Sequence, residues 1–252
     1  MEAFVRSDIK NGIGTITFFH PQSNSMPGTQ LRSLAAEIEK LGKDGNAKVI
    51  VLKSEGDKAF CAGASFDELI AIKDIDTGLK FFSGFAAVIN AMRKAPKFII
   101  ARVQAKAVGG GVGIASSADY TFATDAAAIK LSELAVGIGP FVVGPAVERK
   151  IGTSAFCQLT INATEWQTAQ WAKEKGLYAE LFSSTEEMDK GVETLAAKLA
   201  TSNPEAMLML KKIMWEGTEN WDTLLIERAG MSGKLVLSDF TVNAINKFKQ
   251  KT

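Results

Sequence analysis

Phe98-Ile99-Ile100-Ala101-Arg102-Val103, followed after a short connection by Val108-Gly109-Gly110-Gly111-Val112-Gly113, decides the fold class. The first segment is an almost unbroken apolar run, the pattern of a strand buried on both faces of a parallel sheet. The second carries small residues that let main-chain N–H groups come close to a ligand. Val112-Gly113-Ile114-Ala115 then reads as the start of a short helix, whose free N–H groups and positive dipole end favour negative charge. The same arrangement occurs earlier in the chain. Val49-Ile50-Val51-Leu52-Lys53 reads as a buried strand, and Lys58-Ala59-Phe60-Cys61-Ala62-Gly63-Ala64 follows it. In a parallel sheet such loops meet at the carboxyl edge, where ligands bind.

Outward from this pair the chain alternates. Ile13 to Phe19 has β-branched and aromatic residues at strand spacing after an Asn11-Gly12 turn signal. His20 to Gly28 is rich in Pro, Ser, Asn and Gly and reads as loop. Thr29 to Leu41 and Leu79 to Met92 show helical spacing of apolar residues, and Tyr120-Thr121-Phe122-Ala123 is a further strand. Strand, loop, helix, strand in this order predicts an α/β fold with crossovers. Beyond about Gly144 the pattern turns almost continuously helical, over Trp166 to Lys175, Met188 to Ala200, Pro204 to Trp215 and Asp222 to Leu235. Trp166, Trp171, Trp215 and Trp221 in this part are expected to pack helices onto the core or onto a partner subunit. With no clear linker, the helical part is expected to pack on the α/β part.

Composition narrows the function classes. The 252 residues suffice for one large domain, alone or with a helical appendage. Lys and Arg total 29 against 28 acidic residues, a formal charge of +1 that gives no reason to expect nucleic acid as a partner. The basic stretch Lys247-Phe248-Lys249-Gln250-Lys251 reads as a solvated helix terminus. Cys61 and Cys157 lack Cys-x-x-Cys spacing, which argues for a reducing compartment. Cys61 lies far in sequence from the single histidine, His20, and reads as a small buried hydrophobe rather than a nucleophile. One histidine without clustered ligands argues against a zinc site. Met1 to Arg6 has no secretory pattern, and no stretch approaches the ~20 apolar residues of a membrane span. A cytoplasmic protein is expected, with no membrane partner.

One carboxylate draws notice beside the glycine loops. Glu133, in Lys130-Leu131-Ser132-Glu133-Leu134, lies on a strand-like or turn segment that can reach the same sheet edge. Two main-chain amides could hold a developing oxyanion while one glutamate moves a proton. Glycines that merely permit tight packing and turns would leave the same pattern. The spacing does not match the Gly-x-Gly-x-x-Gly dinucleotide fingerprint, and no Gly-Lys-Ser/Thr marks a phosphate loop.

Taken together, Phe60-Cys61-Ala62-Gly63-Ala64, Gly109-Gly110-Gly111, Ala118-Asp119-Tyr120 and Leu134-Ala135-Val136-Gly137-Ile138-Gly139-Pro140 resemble the crotonase (enoyl-CoA hydratase/isomerase) superfamily over most of the chain. The resemblance implies a crotonase-like spiral of ββα units over residues 1–190 and a C-terminal helical trimerisation region over 191–252. It implies a homotrimer or a hexamer built as a dimer of trimers. The substrate would be an acyl-CoA thioester, with coenzyme A part of the substrate, no further cofactor and no metal. By matching position, Ala64 and Gly110 would donate their amides to the thioester oxygen and Glu133 would carry the proton. Ser23, Ala62, Phe66 and Gly109 fall where the family binds the coenzyme A portion of its substrate.

Hydratases of this family use two glutamates. Glu133 matches the second, while the first falls at Gly113, which has no side chain. Gly137-Ile138-Gly139-Pro140-Phe141 resembles the Δ3-Δ2-enoyl-CoA isomerase branch, since hydratases usually continue with glycines after the proline. Ser65 stands where many relatives carry aspartate. The resemblance thus implies an isomerase that shifts a double bond with one glutamate. The alternatives are an enoyl-CoA hydratase, including one for branched substrates such as methylglutaconyl-CoA, and a non-catalytic acyl-CoA binder. Leu69 to Leu79, Phe81 to Phe85 and Phe141 to Val143 are expected to supply the acyl pocket.

Overall fold

The computed structural model describes residues 1–249; Gln250 and Lys251 of the C-terminal basic stretch lie outside the described residues. Strands β1 (Phe4–Lys10) and β2 (Ile13–Phe19) form an antiparallel hairpin in which Lys10 pairs with Ile13. Both turn residues, Asn11 and Gly12, adopt positive φ, as a two-residue hairpin turn demands. Helix α1 (Gly28–Lys43) then crosses over to β3 (Val49–Ser54), which runs parallel to β2. Its buried Leu31, Leu34, Ala35, Ile38 and Leu41 are the apolar positions of the sequence periodicity.

Helices α2 (Phe66–Ala71) and α3 (Ile75–Lys94) lead to β4 (Ile99–Val103), and a two-residue strand β5 (Ala107–Val108) leads to α4 (Gly110–Ser116). Strand β6 (Tyr120–Thr124) follows, then the two-residue β7 (Ile129–Lys130), a 3-10 turn at Leu134–Val136 and helix α5 (Gly144–Ile161), which bends at Gly152. The remainder is α6 (Ala169–Glu174), β8 (Glu180–Phe182), α7 (Thr185–Ala200), α8 (Pro204–Met214), α9 (Trp221–Leu235) and α10 (Asp239–Lys249). The main sheet has the order β1-β2-β3-β4-β6-β8, parallel from β2 onward, and β5 pairs with β7 in a second small sheet.

The α/β class with crossovers is as expected, and the differences are local. Strand β8 interrupts the region read as helical, because Glu180 to Phe182 pairs with β6 at the sheet edge. Trp166 does not begin a helix. Gln167 instead bridges to Ile129, and α6 starts at Ala169 with the Thr168 hydroxyl accepting the Trp171 N–H at 3.0 Å. Trp166 remains 41% exposed, with the ammoniums of Lys106 and Lys130 at 5.0 and 4.5 Å from its ring centre. Trp215 and Trp221 do pack the helical part, edge to face at 5.9 Å. No described helix is long and apolar enough to cross a membrane.

A buried ion pair ties the C-terminal helices to the sheet. Lys211 of α8 reaches Asp119 at 2.7 Å, with side chains 3% and 6% exposed. The ammonium also donates to the carbonyls of Met92 (2.9 Å) and Lys97 (3.2 Å), while Asp119 accepts from the Ile99 N–H (2.7 Å) and the Trp215 indole (2.9 Å). Removing one partner strands a buried charge. Lys211→Met is therefore expected to cost about 3–5 kcal/mol in urea denaturation. A variant that unfolds at the wild-type midpoint would show that the pair does not hold the helices.

Candidate active site

The site arises where three short segments are laid side by side. Cys61 bridges to Ala107, with the Val108 N–H donating to the Cys61 carbonyl at 2.9 Å. Strand β5 pairs in turn with β7, and the Gly109 N–H donates to the Lys130 carbonyl at 2.8 Å. The N-terminal loop closes the other side: the Asn24 amide donates to the Ala59 carbonyl at 2.8 Å, and the Met26 N–H to the Gly63 carbonyl at 2.8 Å. These pairings bring the two glycine-rich loops and the Glu133 segment to one place.

The amides there are free. Among the described residues neither the Ala64 nor the Gly110 N–H finds an acceptor, and Gly110 is the first residue of α4. They are close neighbours, because a Cβ placed on Gly63 would lie 3.6 Å from the Gly110 nitrogen. Gly109 has a φ of +52°, and a Cβ there would lie 3.0 Å from Glu133 Oε1. Only glycine allows both that backbone and that approach of the carboxylate. At Gly110 a Cβ would come within 2.1 Å of Phe85, so the ring packs directly on the main chain carrying the free amide.

Glu133 is held through its backbone, whose N–H also reaches its own carboxylate. Its carbonyl accepts from the Val136 N–H (3.2 Å) and the Ile138 N–H (3.0 Å), and left-handed Gly137 closes the turn. Oε2 is buried without a hydrogen-bond partner among the described residues. Burial disfavours the charged form and raises the carboxyl from the ordinary value near 4.5 to about 7. A buried carboxylate with one unpartnered oxygen, poised there beside two free amides, can accept and return a proton while an oxyanion is held. Cys61 is a different case. Full burial pushes its thiol up to about 12, so it stays protonated and inert.

These groups border a cavity of about 70 Å³. Ala62, Ala64, Phe66, Gly109, Gly110 and Glu133 all line it. Ser23 does not, although its carbonyl accepts the Ala62 N–H at 3.2 Å and so places it next to the loop. Of the expected acyl-pocket segments, Leu69, Phe82, Phe85 and Phe141 to Val143 contribute. Leu79 does not, and Phe81 faces a separate groove with Gly28 and Arg32. Ser132, Val136 and Ile138, from the quoted segments around Glu133, also line the wall, and so does Ser232, which the sequence did not single out. Ser232 comes from α9, far from any motif. Among the described lining residues Glu133 is the sole ionisable group.

Gly113 does not line the cavity. A Cβ at Gly113 would meet Val143 Cγ1 at 2.5 Å, so the valine fills the space that a side chain there would need.

The family model described as Enoyl-CoA hydratase/isomerase matches residues 8–244. A Bacillus subtilis protein named as an enoyl-CoA hydratase/isomerase, YngF, is 31% identical over 208 residues, covering 81% of this chain and 78% of its own. The mitochondrial methylglutaconyl-CoA hydratase of Rattus norvegicus is 29% identical over 200 residues, 78% of this chain and 63% of that protein. The crystal structure of an enoyl-CoA hydratase from Bacillus halodurans superimposes with a TM-score of 0.89 at 19% identity, covering 96% of this chain and 99% of that one. At that identity the likeness speaks for the fold.

Proposed function

The chain belongs to the enoyl-CoA hydratase/isomerase family, whose members act on acyl-CoA thioesters, and we propose that it shifts the double bond of an enoyl-CoA with Glu133 as sole proton carrier. The observation that carries this reading is the single ionisable group among the described residues of the cavity wall, with Val143 occupying the space beside Gly113.

In this mechanism the thioester oxygen accepts hydrogen bonds from the Ala64 and Gly110 amides. The Glu133 carboxylate takes a proton from C2 of a 3-enoyl thioester, and the electron pair moves onto the thioester oxygen as a dienolate. Each such donor is worth on the order of 3 kcal/mol of barrier. Protonated Glu133 then returns the proton to C4, leaving the double bond between C2 and C3. A carboxyl group near 7 serves both halves, being neither too weak to take the proton nor too strong to return it. Ala62, Phe66 and Gly109, with Ser23 behind Ala62, are assigned to the coenzyme A portion of the substrate. No other cofactor is called for. Exposed Met209, Leu210, Ile213 and Met214 on α8 suit a homotrimer or hexamer contact.

Hydration is the second reading, favoured by the hydratase names of several relatives and by the Ser132 hydroxyl on the cavity wall beside Glu133. A panel of 2-enoyl- and 3-enoyl-CoA thioesters separates the two. The expected result is conversion of 3-enoyl to conjugated 2-enoyl thioester, seen as a gain in ultraviolet absorbance. Loss of absorbance from crotonyl-CoA, without migration from any 3-enoyl substrate, would overturn the isomerase assignment.

A further inference from the structure

Ser232 is 2% exposed and lines the cavity. A hydroxyl on such a wall can both donate to and accept from a ligand oxygen in the cavity. Its neighbours on the wall are mainly aromatic and aliphatic.

Helix α3 serves as a ruler for where this hydroxyl sits. At one end of the stretch, Phe85 packs on Gly110, where the free amide is. At the other, α9 crosses α3 through Gly78 and Gly233, so closely that a Cβ on Gly78 would be 2.8 Å from the Gly233 Cα. Phe82, between them, lines the cavity. Residues 78 and 85 are separated by about 10 Å along a helix of 1.5 Å rise. Ser232, adjacent to Gly233, therefore lies several carbon atoms beyond a thioester carbonyl bound at Gly110.

Charge narrows what can meet it. No Lys, Arg or His is among the described residues lining the cavity, and Glu133 is its only acid. A carboxylate at the distal end of the acyl chain would be desolvated without a counter-charge, near a group that becomes negative. A neutral oxygen has no such penalty.

We propose that Ser232 is a specificity-determining residue that hydrogen-bonds an uncharged oxygen, hydroxyl or ketone, on the distal part of a short acyl chain. The assignment rests on the acyl-CoA reading of the cavity, and its test is built to fail separately from that reading. Calorimetric binding is measured with saturated thioesters, which do not depend on turnover: pentanoyl-CoA, 5-hydroxypentanoyl-CoA, 5-oxohexanoyl-CoA and glutaryl-CoA. Wild type is expected to bind the hydroxy or keto ligand about tenfold more tightly than pentanoyl-CoA, and glutaryl-CoA least well. Ser232→Ala is expected to abolish that preference and leave pentanoyl-CoA binding unchanged. Alanine suits a helix interior, so circular dichroism should match wild type. If the neutral oxygen adds nothing in wild type, or Ser232→Ala weakens all ligands alike, the Ser232 assignment is overturned. If no thioester binds, the acyl-CoA reading itself fails.

Discussion

Glu133→Gln is expected to lower kcat for double-bond migration by about 10²–10⁴, with acyl-CoA affinity within a few-fold of wild type. The amide keeps the volume of the side chain but cannot accept and return the proton. The cavity wall and the Ala64 and Gly110 amides are untouched, so binding should survive. Wild-type kcat/KM should rise with pH through about 7, because the reaction begins with the carboxylate form. A flat profile, or a Gln variant with near-normal turnover, would remove Glu133 from the mechanism.

The same group leaves a mark on stability. With its folded value raised to about 7, the folded state keeps a proton that the unfolded chain has lost above about 4.5. Stability from this group is fully present below 4.5 and is lost as pH rises through 7. Relative to Glu133→Gln, wild type should therefore lose about 3 kcal/mol between pH 4.5 and pH 8. Parallel urea titrations at the two pH values measure this difference. A stability gap that stays constant with pH would mean the carboxyl is not desolvated, whatever its part in turnover.

What could be read from sequence follows from how locally each feature is encoded. The strands at Val49 and Ile99 announce themselves by apolar runs, and the glycine loops after them by composition, so their meeting follows from the parallel order alone. Glu133 was legible because it stands in a recognisable segment that the β5–β7 pairing brings to Gly109. Strand β8 was not, since three residues pairing at a sheet edge carry little periodicity. Trp166 was misplaced because its position is set by a bridge from Gln167 to Ile129, distant in sequence. Ser232 reaches the cavity only through the crossing of α9 on α3, which no local pattern specifies.

The relation of Gly113 to Val143 lies between these extremes, and substituting both positions tests it. A Cβ at position 113 would meet Val143 Cγ1 at 2.5 Å and Val143 Cβ at 2.6 Å, so Gly113→Glu alone overpacks a buried contact. That strain, added to the burial of a carboxylate, should cost at least about 3 kcal/mol and leave much of the protein insoluble. Val143→Gly removes the obstructing side chain. Together the two substitutions should recover about 1–3 kcal/mol relative to the sum of the single effects, the coupling expected of residues in direct contact. The double variant also places a second carboxylate at the edge of the cavity, the arrangement implied for hydration by the family resemblance. Two acids so close will not both ionise easily, which suits one to hold water while the other gives or takes a proton. Loss of crotonyl-CoA absorbance should then appear in the double variant and not in either single one. Additive stability effects would show that Val143 does not fill the place of a side chain at 113. Restored folding without hydration would show that the missing carboxylate is not what separates this site from a hydratase.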